Sequence, residues 1–129
     1  MNYLAILLMG NAILFTVLLL GQIIYRTKVH GSKYALGNLD AEQHEWCESR
    51  LIRVKNNQQE TLILVVTLVV LASLLTVSSS QIITALCLVH LMSRVIYISL
   101  ALRGVPVARS ITWTIGLGCL AGLLIEVMN

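Results

Sequence analysis

Arg50, Arg53, Asn57 and Glu60 are spaced 3, 4 and 3 residues apart. In a helix that spacing stacks all four on one face. Leu64 continues the same face into an apolar run, so the stripe passes from a polar segment into one that a bilayer accepts. A second stripe, Cys87, His90, Arg94 and Tyr97, repeats the spacing inside another apolar run. Arg109, Ser110 and Trp113 open a third. Ionisable groups at membrane depth are costly and rarely face lipid, so both stripes are expected to face the interior of a bundle. Arg94 needs an anionic or carbonyl partner there, and Glu60 is the acid expected to reach it.

If Arg53, Asn57, Glu60, Arg94, Tyr97 and Arg109 converge, they form a cationic site holding one carboxylate and one carboxamide. Such a set suits a small ligand with two carboxylates and one ammonium group. Arginines pair bidentately with carboxylates, and Glu60 takes the ammonium. Glutathione carries these charges and a thiol besides. The same residues also fit a plainer arrangement, in which Glu60 and Arg94 form an ion pair between helices while Arg50 and Arg53 meet lipid headgroups. Residue chemistry alone leaves both open.

The elements that must position these side chains are legible in the composition. Of 129 residues, 57% are hydrophobic and 12% charged, against about 25% charged in an ordinary soluble domain. Four runs approach the ~20 apolar residues a helix needs to cross a bilayer: Tyr3–Tyr25, Thr61–Val77, Ile82–Leu102 and Val105–Met128. The expected fold is an all-α bundle of four transmembrane helices, one domain over residues 1–129, with no internal repeat. The first run lacks a basic leader and a small-residue cleavage site and is longer than a signal core, so it is expected to stay as a helix. Asp40-Ala41-Glu42-Gln43 has the pattern of a capping box, and no Gly or Pro follows until Gly104. The second helix is therefore expected to begin near residue 40 and enter the membrane unbroken, about 35 residues or about 55 Å long. Asn11, Gln22 and His90 are expected to link helices by hydrogen bonds. Gly116, Gly118 and Gly122 with Ala121 offer small residues for close packing of the last helix.

All nine Lys and Arg fall in two regions: the stretch from Arg26 to Lys55, and the segment from Arg94 through Arg103 to Arg109. Four antiparallel spans put both on one side. By the positive-inside rule that side is cytoplasmic and both termini lie outside, in a chain whose compactness favours a bacterial inner membrane. The formal charge of +3 thus reports orientation and membrane-lipid contact, not nucleic-acid binding. Cys87 and Cys119 read as small hydrophobes. Cys47, His30 and His44 have no ligand-like spacing, and no metal site is expected. A proton-coupled exporter needs an intramembrane acid, and the first span has none.

The pattern Arg50-x-x-Arg53-x-x-x-Asn57-x-x-Glu60 before an apolar span resembles the MAPEG family, the membrane-associated proteins in eicosanoid and glutathione metabolism. Arg94-x-x-Tyr97 is similar to the family's Arg-x-x-Tyr, and Arg109-Ser110 to the Arg-Ser of its prostaglandin E synthase branch. The likeness spans essentially the whole chain. It implies a homotrimer that binds glutathione as cosubstrate between neighbouring subunits, on the cytoplasmic side. In it Arg53, Asn57 and Glu60 hold the tripeptide, Arg94 belongs to the same binding set, and Tyr97 contacts it from the third helix. Arg26 reaches it from the neighbouring subunit. Arg109 stabilises the thiolate, which attacks a lipophilic substrate arriving from the membrane. That activity is a glutathione transferase or peroxidase; the alternative the family offers is a non-catalytic lipid-binding scaffold. Two aromatic positions of the family are Thr61 and Ala101 here. The segment from Arg94 to Arg109 is one residue longer than in some members, which makes Arg103 the second candidate for the thiol.

Overall fold

The computed structural model describes residues 2–30, 46–78 and 80–129. Four helices carry them: α1 (Tyr3–His30), α2 (Trp46–Leu74), α3 (Gln81–Arg103) and α4 (Pro106–Met128). Each is long and apolar enough to cross a membrane. A helix satisfies its own backbone polar groups, which is what hydrocarbon demands of a spanning segment. The expected four-helix, all-α architecture is the one observed.

α2 crosses the polar-to-apolar boundary at Glu60–Thr61 without a break, over 29 residues. Its expected origin near residue 40, with the capping box at 40–43, lies outside the described residues. At the other end α2 stops at Leu74, short of Val77. There the Thr76 N–H bonds the Ser73 carbonyl at 3.4 Å and the Val77 N–H bonds the Ala72 carbonyl at 3.2 Å. Thr76 has a φ of 51°. This is a Schellman ending with threonine where glycine is usual. α3 ends the same way with the usual residue, Gly104 at φ 78°. α3 opens on Ser80, whose hydroxyl accepts from the Ile83 N–H at 3.2 Å, and α4 opens on Pro106, whose missing N–H costs nothing at that position.

α1 packs chiefly on α2, and α3 on α4. One apolar core draws on all four helices, with Leu7, Val65, Cys87 and Leu123 at its centre. Close approach of α3 to α4 depends on Gly116, where an added Cβ would meet the Ser93 Oγ at 2.8 Å. Gly122 faces Leu86 in the same seam, whereas Gly118 faces open space and takes no part in this packing. On the outer side of α1, Ile13, Val17, Leu20 and Ile24 are all exposed. Their spacing of 4, 3 and 4 makes one apolar stripe turned away from the bundle, a surface suited to lipid or another chain.

The polar ends of the helices are tied together. The Arg26 Nε donates to the Glu48 Oε1 at 2.7 Å, and the Glu48 side chain is wholly buried. Such a charge-assisted bond fixes the end of α1 against the start of α2. Arg50 lies over Gly104, where any Cβ would overlap its guanidinium, and its Nη1 donates to the Leu102 carbonyl at 3.5 Å.

Candidate functional site

Arg53, Asn57 and Glu60 project from one face of α2, as their spacing predicts. With Tyr97 of α3 and Arg109 of α4 they line a single cleft of about 450 Å³ at the basic end of the bundle. Asn56, Ser110 and Trp113 complete it. Arg53, Tyr97 and Arg109 also border an adjoining cleft of about 250 Å³, which Arg50 enters. Among the described residues three arginines, Arg50, Arg53 and Arg109, and one carboxylate, Glu60, line these two adjoining clefts. Arg109 lines both clefts and Arg103 neither.

Arg94 behaves differently from the expectation. It is 2% exposed and does not line the main cleft. Its partner is not Glu60: among the described residues those two form no ion pair. Instead its Nε and Nη2 donate to the Gln58 Oε1 at 3.0 and 2.8 Å, and Nη2 also donates to the Asn57 Oδ1 at 2.9 Å. The guanidinium stacks over the Tyr97 ring, 4.6 Å from its centroid. A buried cation satisfied by neutral amides leaves the Glu60 carboxylate available to the cleft. Gln58 in turn donates through Nε2 to the carbonyl and Oδ1 of Asn11 at 3.2 and 3.0 Å. Asn11, completely buried, donates to the Leu7 carbonyl at 2.9 Å. This chain of amides joins α1, α2 and α3 beneath the cleft and holds two of its lining residues, Asn57 and Tyr97, in place. The helix-linking role expected of Asn11 is met. Gln58 was not singled out by spacing. Its signal was indirect: the Asn11 carboxamide within the first span needs a polar partner at equal depth.

Arg26 does not line the cleft of its own chain, where its Nε is engaged by Glu48. The Thr61 hydroxyl donates back to the Asn57 carbonyl at 3.0 Å, and Ala101 is buried in a small core with Leu18, Val54 and Tyr97. Neither residue lines the main cleft. His90 links helices as expected, its Nδ1 lying 3.0 Å from the Gly116 carbonyl. Among the described residues no group of His, Cys, Asp or Glu is placed to hold a metal ion.

Four membrane-length helices turn an arginine-rich, carboxylate-bearing cleft toward one end, the arrangement of an integral membrane protein with a polar recess. The sequence model of the MAPEG family matches residues 4–128, and the chain belongs to that family, one of membrane proteins in glutathione and eicosanoid metabolism. It includes glutathione transferases and related enzymes, and also members that are not enzymes. No curated protein and no solved structure matches the chain.

Proposed function

We propose that this protein is a glutathione-dependent transferase or peroxidase acting on lipophilic electrophiles. The observation that carries this reading is the meeting of Arg53, Asn57, Glu60, Tyr97 and Arg109 around one cleft. Its size falls in the range of small-molecule sites, about 300–1,000 Å³. Arg53 and Arg50 meet the carboxylates of the tripeptide, Glu60 its ammonium, and Asn57 its peptide groups. Arg94 lies beneath the cleft, where it positions Asn57 and Tyr97.

The thiol lies toward Arg109 and Ser110. A free thiol near pKa ~8.5 is mostly protonated at neutral pH, and an adjacent cation lowers that value. Arg109 supplies the cation, so the thiolate is stabilised where it must attack. Binding, orientation and charge stabilisation then account for rate, with no covalent protein intermediate.

The cleft faces the cytoplasm and the termini face the other side of a bacterial inner membrane, since all nine Lys and Arg fall in the stretch from Arg26 to Lys55 or the segment from Arg94 to Arg109, which antiparallel spans put on one side. A homotrimer completes the site: a neighbouring chain covers the apolar stripe of α1 and brings its Arg26 to the cleft's open side.

The test is ultraviolet thiolate absorbance of glutathione on titration with the purified protein, alongside turnover of an activated aryl chloride. The expected result is thiolate absorbance at neutral pH that Arg109→Ala abolishes, with parallel loss of turnover. Binding without thiolate or turnover in the wild type supports the non-catalytic scaffold instead, a reading favoured by the absence of aromatic side chains at Thr61 and Ala101.

A further inference from the structure

The end of the bundle opposite the arginine-rich cleft holds a separate polar recess. The α2–α3 turn and the last turn of α4 border a cavity of about 540 Å³, within the range of small-molecule sites, about 300–1,000 Å³. Thr76, Ser78, Ser80 and Glu126 are among its polar lining. All nine Lys and Arg fall in the stretches 26–55 and 94–109, so neither segment bordering this recess carries one. Among the described residues Glu126 has no ion-pair partner. Thr76 adds a second mark. Its φ of 51° is a left-handed conformation unfavourable for a β-branched residue, and strained residues of this kind cluster at ligand sites.

The lining decides what could occupy the recess. A divalent cation such as calcium takes about six to eight oxygens, several from carboxylates; here Glu126 is the one acidic side chain. A simple anion would meet the Glu126 charge with no cation to offset it. A hydrocarbon would bury that charge without a partner, which is costly. A quaternary ammonium has no N–H to donate and finds no aromatic face among the described residues that line the recess. A primary ammonium satisfies the site: one N–H pairs with Glu126 and the others with hydroxyl oxygens. The Ser80 oxygen accepts one bond from the Ile83 N–H, which leaves its own O–H to donate. The recess therefore also offers hydroxyl donors to an anionic group carried close to the ammonium.

Position narrows the ligand further. The recess lies where α2 and α4 end and α3 begins, at the boundary of the membrane-length segments. Leu75 and Met128, which also line it, are exposed and suit acyl chains. We propose that this recess binds the headgroup of a glycerophospholipid bearing a primary ammonium, with the ammonium on Glu126 and the phosphate on the hydroxyls of Ser78 and Ser80. The site stands apart from the main cleft and does not depend on how that cleft is read.

The test is native mass spectrometry of the purified protein with an equimolar mixture of dioleoyl phosphatidylethanolamine and dioleoyl phosphatidylcholine. The two lipids share phosphate and chains and differ only in methylation of the amine. The ethanolamine lipid is expected to be retained about 10-fold in preference, the ratio set by one charge-assisted hydrogen bond. Glu126→Gln, which keeps the size and removes the charge, brings the ratio close to one, and Glu126→Asp keeps the preference. Glu60→Gln keeps it as well, because the carboxylate of the main cleft is not the one engaged. Equal retention in the wild type, an undiminished preference in Glu126→Gln, or its loss in Glu60→Gln overturns the proposal. Displacement of the bound lipid by an equal concentration of glycerophosphoethanolamine would make a soluble amine the ligand and overturn the lipid assignment.

Discussion

Replacing Gln58 by leucine should destabilise the protein far more than its neutral side chain suggests. The Gln58 Oε1 accepts two bonds from Arg94, and its Nε2 donates two to Asn11. Leucine has a similar size, so packing changes little. What changes is that Arg94, buried to 2% exposure, keeps only its bond to Asn57. Hydrogen bonds to a charged group are worth about 1.5–3 kcal/mol, and leaving a buried charge without its partner costs about 3–5 kcal/mol. The expected loss for Gln58→Leu is therefore about 3–5 kcal/mol. Adding Arg94→Met removes the stranded charge, so the double variant should be more stable than Gln58→Leu alone, with a coupling of about 2 kcal/mol between the sites. The assay is unfolding by sodium dodecyl sulfate in mixed micelles, followed by circular dichroism. A Gln58→Leu effect within about 0.5 kcal/mol, as for an exposed side chain, or single effects that simply add, would refute the reasoning.

The other predictions concern the cleft and the helix ends. Arg109→Ala should raise the thiol pKa of bound glutathione; activity is then low at neutral pH and recovers as pH rises, which a pH–rate profile checks. Glu60→Gln should weaken binding of glutathione but not of an analogue lacking its ammonium group, measured by competition. Thr76→Gly relieves a left-handed conformation that costs a β-branched residue about 1 kcal/mol, and should raise the unfolding midpoint in detergent. Gly104→Ala should lower it, because that position combines φ 78° with the guanidinium of Arg50.

Much of this arrangement is legible in the residue order. Apolar runs of bilayer length mark the four helices, and the 3.6-residue period puts Arg53, Asn57 and Glu60 on one face of α2. Tyr97 and Arg109 fall at the same end because the chain reverses at short turns. The partner of Arg94 was not legible. Opposite charge pointed to Glu60, but the contact depends on rotation and depth of α2 against α3, which one sequence does not record. Gln58 sits one residue off the Asn57 face, turned inward to Asn11, and satisfies the cation as a neutral amide. The end of α2 was hidden for a related reason: a Schellman turn built on Thr76 lacks the glycine that announces the one at Gly104. Gly118 matches the spacing of a packing face, yet faces outward, because neighbouring residues of a helix point in different directions.

Glutathione titration of the purified protein in nanodiscs, by calorimetry, tests the central claim most directly. Arg53 lines both clefts, whereas Arg103 lies at the same basic end and lines neither. Loss of one charge-assisted pair, about 1.5–3 kcal/mol, weakens binding by about 10- to 100-fold. The account predicts that loss for Arg53→Ala and an unchanged Kd for Arg103→Ala. A wild type that does not bind glutathione, or two variants that bind it equally, would contradict the assignment of the cleft.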